Sequence, residues 1–226
     1  MKDINVRITF TEGILGTAPN NEEIYRDYIA SKAPDASTIE EEIEAVGLTA
    51  YTEKGMTIFS RDLEGNPAIY DYQIKGFFKD ACSMLNRLTK KDAETGKKGA
   101  AVNESSKLKM YKKAIDGLIF VAPRMIPIQH EGEISVLQRP LRVMTMQGER
   151  VGLAISEEIA AGAKIEFTIE LFDDSHEGAV LEWLDYGKFR GIGQWRNSGK
   201  GRFVYDILDE NGKVIGGNNE FKKATA

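Results

Sequence analysis

A single cysteine, Cys82, stands in 226 residues, and that excludes an internal disulfide framework. Histidine is almost as scarce. With only His130 and His176 beside the cysteine, no cluster has zinc-site spacing, so neither a metal nor another cofactor is expected. No apolar run approaches the length needed to cross a bilayer, and no membrane partner is expected. The start MKDINVRITF alternates polar and apolar residues as a strand does instead of forming a signal-peptide core, which together with the lone thiol suggests a cytoplasmic, reduced setting. No Ser-His-Asp ordering or carboxylate pair stands out from the 35 acidic residues, so no catalytic residue is nominated. A net charge of −5 excludes a polyanion binder held by bulk charge. Any nucleic-acid contact must come from local patches.

What is present is a foldable pattern. Hydrophobic residues make up 42% of the chain, enough for a substantial core. Ile4, Val6, Ile8 and Phe10 alternate with Asn5, Arg7 and Thr9, the period of a half-buried strand. A helix is expected from Asn21 to Ser31, then an acidic helix ending near Gly47 with Glu40 to Glu44 on its solvated face. Strand-like MTIFSRDLEGNPAIYDY follows. In QIKGFFKDACSMLNRL, the residues Ile74, Phe77, Phe78, Ala81, Cys82, Leu85 and Leu88 recur at helical spacing, which makes Cys82 a core residue. Further strands are read in GLIFVAPRMIPI and AKIEFTIELF, a helix in EGAVLEWLDYG ending at Gly187, and a last strand in RFVYDIL. Strand, helix, strand, strand, helix, strand is the order of the split βαβ unit. The expected fold is α+β, with a ferredoxin-like, RRM-like core and insertions.

Cations gather in a few places. Lys75 and Lys79 stand one turn apart on the first long helix, and residues 87–113 hold nine Lys or Arg against three acids. That segment reads either as a solvated basic loop or as a phosphate-binding patch. Arg139 and Arg142 lie in a candidate hairpin over residues 129–150. The densest group is YGKFRGIGQWRNSGKGR. Here Gly187, Gly191, Gly193, Gly199 and Gly201 interleave with Lys188, Arg190, Arg196, Lys200 and Arg202, and Trp195 is available for stacking. Such a loop suits an anion cradle or, equally, a glycine-rich connection. It is not a P-loop, because Ser198 replaces the second glycine counted from Gly193, and it is not a G-x-G-x-x-G fingerprint, because Arg196 holds the third position.

These segments carry a resemblance. IYDYQIKGFFKDACSML resembles the P-G-S-S-L-K-G helix entry of the RAMP superfamily of CRISPR-associated proteins, with Gln73-Ile74-Lys75-Gly76 at the S-L-K-G positions. IAAGAKIEFTIEL is similar to the strand that follows P-A-G-T in that family, and the Gly-Arg loop resembles its C-terminal glycine-rich motif. The backbone subunits of class 1 effector complexes, which coat a guide RNA, are the nearest match. The resemblance implies one ferredoxin-like domain over 1–208 with a basic insertion at 87–113, a thumb-like hairpin at 129–150, and a terminal turn and tail at 209–226. It also implies single-stranded RNA, or single-stranded DNA, near the glycine loop and the Lys75 helix entry. Partners would be further copies of the chain or other effector subunits. Asp71-Tyr72 replaces the family's P-G, and TEGILGTAPNNEEIYRDYI replaces its short H-I-G loop with the cleavage Asp.

Three functions follow. The first is a RAMP-like single-strand binder within a ribonucleoprotein filament or standing alone. A metal-independent endoribonuclease would need His130 or His176 close to the glycine loop. A protein-interaction or inhibitor protein of mobile-element or phage origin would keep the fold and bind another protein.

Overall fold

The computed structural model describes residues 1–20, 55–87, 89–91, 98–101, 103–145 and 148–219. The helices expected at 21–31 and before Gly47, with the acidic face at 40–44, lie outside these residues, as does the end of the tail. The chain divides into two compact units, one of Met1–Ile14, Arg61–Glu131 and Ala160–Ala226, the other of Leu15–Ser60 and Gly132–Ile159.

In the first unit the alternating segment at the start becomes strand β1, Lys2–Phe10. The periodic helix is α1, Asp71–Leu85, and it leads through a connection to strand β2, Ile119–Ala122. Strand β3, Lys164–Leu171, helix α2, Glu177–Arg190, and strands β4, Phe203–Leu208, and β5, Val214–Gly217, complete the unit. The strands pair in the order β5-β4-β1-β3-β2, with antiparallel neighbours throughout. Setting β5 aside, the order 4-1-3-2 with a helix after β1 and after β3 is the ferredoxin-like split βαβ fold.

Registration follows from the two-residue side-chain period. Val6 faces Phe167 and Ile8 faces Ile165, so every apolar residue of both strands falls on one side of the sheet. On that side α1 buries Ile74, Phe77, Phe78, Ala81 and Cys82, and α2 buries Ala179, Val180, Trp183 and Leu184. Phe78 meets Trp183 at 5.4 Å between ring centroids and Phe77 meets Phe203 edge-on at 5.2 Å. Each fully buried aromatic or aliphatic side chain contributes about 1.5–3 kcal/mol relative to exposure. Burial also pushes the Cys82 thiol up to about 11, so it stays protonated and inert at neutral pH.

The described residues of the basic segment form regular elements. Strands Thr89–Lys91 and Lys98–Ala101 pair, and short helices form at Glu104–Lys107 and Tyr111–Leu118. Asn103 caps the first helix by accepting from the Ser106 amide at 2.8 Å. Ser105 is fully buried. Its amide and hydroxyl donate to Glu182 Oε2 at 2.8 and 2.6 Å, and its Oγ accepts from Trp183 Nε1 at 2.9 Å. A serine that satisfies a core tryptophan anchors the segment to α2.

The second unit contains a hairpin that starts and ends later than the expected 129–150, and Gln129 to Glu131 belong to the first unit. The hairpin strands run Ser135–Thr145 and Gly148–Ile159 and stay in register from Ser135 opposite Glu158 to Thr145 opposite Gly148. Thr57–Ile58 joins in parallel beside Ser156, where the two hydroxyls lie 2.8 Å apart.

Candidate nucleic-acid interface

Helix α2 does not stop at Gly187 as its sequence suggested. It runs on to Arg190 and is capped at Gly191, which has φ 74°. Gly187 is an interior helix residue because the Phe203 ring lies where a side chain would go: an added Cβ would come within 2.2 Å of it. This glycine makes room for the Phe203 ring. Beyond it, the last turn of α2 and residues 191–202 form a lobe whose neck closes where the Ile192 amide donates to the Gly201 carbonyl at 2.9 Å. Gly201 also donates to Gly13 at 2.9 Å. With φ 70° and only 1.9 Å from a Cβ position to Ile192 O, Gly201 admits no other residue.

Two lobe cations are turned inward. Arg190 Nε and Arg196 Nη1 donate to the same oxygen, Asp80 Oδ2 on α1, at 2.7 and 2.8 Å, and Arg190 also donates to Asn197 Oδ1 at 3.0 Å. Burial raises the Asp80 carboxyl, but the Arg190 hydrogen bond and the nearby Arg196 charge outweigh it and hold the group below the usual carboxylate range. The same hydrogen bond holds the Arg190 guanidinium above its ordinary value. Two cations against one carboxylate leave the lobe a net positive charge. Asp80 does not stand out in the sequence, since its partners lie 110 and 116 residues away.

The remaining lobe residues face outward to different degrees. Trp195 is 39% exposed, Lys188 and Phe189 are exposed, and Lys188 Nζ lies 5.2 Å from the Phe189 ring centre. Gly193, Lys200 and Arg202 are half-buried, whereas Gly191 and Gly199 are buried. Arg202 packs its guanidinium over Gly199, 3.5 Å from where a Cβ would stand, and its Nε is buried with no acceptor among the described residues.

The candidates elsewhere have their own surroundings. Lys79 pairs with Asp116 at 2.6 Å, and Lys75 donates to the Asp116 carbonyl at 3.2 Å while its ammonium sits 4.9 Å from the Phe120 ring centre. Burial lowers the Lys75 ammonium from its ordinary value, with the Asp116 charge opposing. Arg139 belongs to the second unit and is only 8% exposed, and burial lowers its guanidinium. Arg142 lies on the same hairpin strand.

The sheet face away from the helices presents Asn5, Arg7 and Thr9 beside Glu166, Thr168 and Glu170. Arg7 Nε donates to Glu166 Oε1 at 2.6 Å, and Thr168 Oγ1 donates to Asn5 Oδ1 at 2.8 Å. An RRM stacks bases on aromatic residues of this face, and here carboxylates stand in their place. On these two strands the RRM-like topology therefore comes without RRM-like surface chemistry, and the exposed ring opposite Glu170 is Phe120 of β2.

The histidines fall at opposite ends. His176 is buried, with Nδ1 3.1 Å from Asp173 O, and precedes α2, whereas the lobe follows it. The 14 residues of α2 separate the two by about 21 Å. His130 lines a cleft of about 300 Å³ with Gln129, Glu131 and residues 160–164. This cleft lies at the lobe's end of the sheet: Gln129 bonds Lys164, Phe10 bonds Ala163, and Thr11 donates to Arg202 O. Among the described residues, no cluster of His, Cys, Asp or Glu could hold a metal ion, and no helix is long and apolar enough to cross a membrane.

No family model matches the sequence, and no curated protein matches it. A solved structure with a similar chain path is the cryo-electron-microscopy structure of the Type III-B Cmr-beta bound to cognate target RNA. Its TM-score is 0.48 at 12% identity, and the match covers 92% of this chain and 58% of that one. The present chain thus spans under two thirds of that neighbour's length.

Proposed function

We propose that this protein binds single-stranded nucleic acid, RNA in preference to DNA, as a RAMP-like subunit or stand-alone relative of a CRISPR-type ribonucleoprotein filament. The observation that carries the reading is Arg202. The side chain is half-buried and its Nε is left without an acceptor, so a turn of the guanidinium toward a phosphate oxygen would satisfy a donor that the fold does not. Around it the lobe keeps a positive surplus from Arg190 and Arg196 over Asp80, and Lys200 and the exposed Trp195 stand on the same lobe. The motif order along the chain supports the RAMP assignment, and the 4-1-3-2 sheet is the core it implies.

The test is titration of labelled single-stranded RNA and DNA across a salt series with wild type and Lys200→Ala/Arg202→Ala. The variant is expected to bind RNA more weakly, with a slope of log affinity against log salt that is shallower by about 0.7 for each phosphate no longer neutralised. Wild-type affinity and slope in the variant would overturn the phosphate role of the lobe.

The endoribonuclease reading retains one supporting observation, the position of the His130 cleft at the lobe's end of the sheet.

A further inference from the structure

Helix α1 enters from a pair of tyrosines. Tyr70 and Tyr72 stack with 5.3 Å between centroids and 15° between planes, and Tyr72 remains 53% exposed. The Arg124 guanidinium lies 5.8 Å from the centre of each ring and its side chain is 72% exposed. Tyr72 and Lys75 are three residues apart on α1, so they are surface neighbours. From Lys75 the arrangement repeats: its ammonium stands 4.9 Å from the Phe120 ring centre, and Phe120 meets Phe172 edge-on at 5.7 Å. Phe120 is 37% and Phe172 60% exposed. Two clusters of rings and a cation thus stand one helical turn apart, at the start of α1 and at the outer strand β2, and together make a strip.

Burying such rings is favourable, so the partial exposure of Tyr72 and Phe172 calls for an explanation. The chemistry of the strip narrows its ligand. Both cations already have oxygen partners: Arg124 Nη1 donates to the two Asp71 carboxylate oxygens at 3.0 and 3.2 Å, and Lys75 donates to Asp116 O. Arg124 is thereby paired with a carboxylate, whereas Lys75 meets only a neutral carbonyl and keeps its charge beside the Phe120 ring. A parallel tyrosine pair extends naturally by one more planar π system, and a cation beside it strengthens that stack.

We infer that the strip of Tyr70, Tyr72, Arg124, Lys75, Phe120 and Phe172 is a base-stacking platform, on which nucleobases of the bound single strand rest while their phosphates are held elsewhere. The inference rests on the single-strand reading above and adds a second, aromatic subsite to it. Residue Gly76, exposed on α1 and with open space where a side chain would stand, leaves the helix surface beside Tyr72 clear.

The experiment compares wild type, Tyr72→Ala/Phe172→Ala and Lys200→Ala/Arg202→Ala on a labelled oligouridylate and on an abasic sugar-phosphate strand of the same length. Thermal melts confirm that each variant is folded. Removing the two rings is expected to weaken oligouridylate binding by about tenfold or more for each ring. Abasic-strand affinity and the salt slope should be unchanged, because the rings neutralise no phosphate. Photocrosslinking with an iodouridine strand should label Tyr72 or Phe172. Wild-type oligouridylate affinity in the ring variant overturns the platform and leaves the proposed function standing, as does an equal weakening on both strands. A ring variant whose assembly mass changes while its RNA affinity does not marks the strip as a protein contact instead. Failure of wild type to bind any single strand removes both readings.

Discussion

Arg196 Nη1 meets Asp80 Oδ2 at 2.8 Å, and this contact ties the glycine-rich lobe to a helix 116 residues earlier in the chain. Because Arg190 uses the same oxygen, Asp80→Ala leaves two half-buried guanidiniums without their carboxylate. The expected destabilisation is about 2 kcal/mol, from charge-assisted hydrogen bonds worth about 1.5–3 kcal/mol. In a chain of this size that lowers Tm by about 4–8 °C, measurable by calorimetry.

The same carboxylate sets a pH dependence. The Asp80 folded-state value lies below its unfolded 3.8, so its stabilisation is complete above that value and disappears as pH falls through the lower folded one. Urea midpoints from about pH 6 down to pH 3 should therefore fall less in Asp80→Asn than in wild type over the acid end. Parallel profiles would show that the pair contributes nothing to stability.

Two glycine substitutions should have opposite signs. Gly187→Ala drives a Cβ to 2.2 Å from the Phe203 ring, and overpacking of this kind costs about 1–3 kcal/mol. Gly76→Ala meets nothing within 4 Å on an exposed helical site and should stabilise by about 0.5–1 kcal/mol. Denaturant titration of both variants checks the contrast.

Assembly follows from charge. A chain of net charge −5 gains little from one small basic lobe, so several copies side by side would hold a polyanion better than one. The strands at the two ends of the sheet, β2 and β5, are different surfaces, which suits an open head-to-tail contact more than a closed two-fold one. Mass photometry should show mass climbing in steps with oligonucleotide length and falling back in high salt. A strict monomer at every length would shift the balance to the protein-interaction reading.

Cleavage is expected to be no more than trace. His176 is buried at the far end of α2 from the lobe. Gel analysis of end-labelled RNA checks this, and a strong cut abolished by His130→Ala would establish the endoribonuclease instead.

Local periodicity alone determined much of the fold. The alternation from Ile4 to Phe10 and from Ile165 to Leu171, and the helical spacing from Ile74 to Cys82, each assign a buried face within a few residues. Those faces admit few packings, and the ferredoxin-like order follows from them. The end of α2 is not legible at Gly187, because a glycine's need for room against Phe203 looks in sequence like a helix stop. The cations were legible as a cluster, but their availability was not. Whether Arg196 or Lys79 faces a ligand or a carboxylate depends on Asp80 and Asp116, brought beside them by α1 packing on α2 and on the helix Tyr111–Leu118. The aromatic strip was equally hidden, since Tyr72, Phe120 and Phe172 come from a helix, a strand and a turn that are remote in the chain. Side-chain period is a property of neighbours in sequence, whereas charge pairing and surface stacking are properties of neighbours in space, and only the tertiary fold makes those.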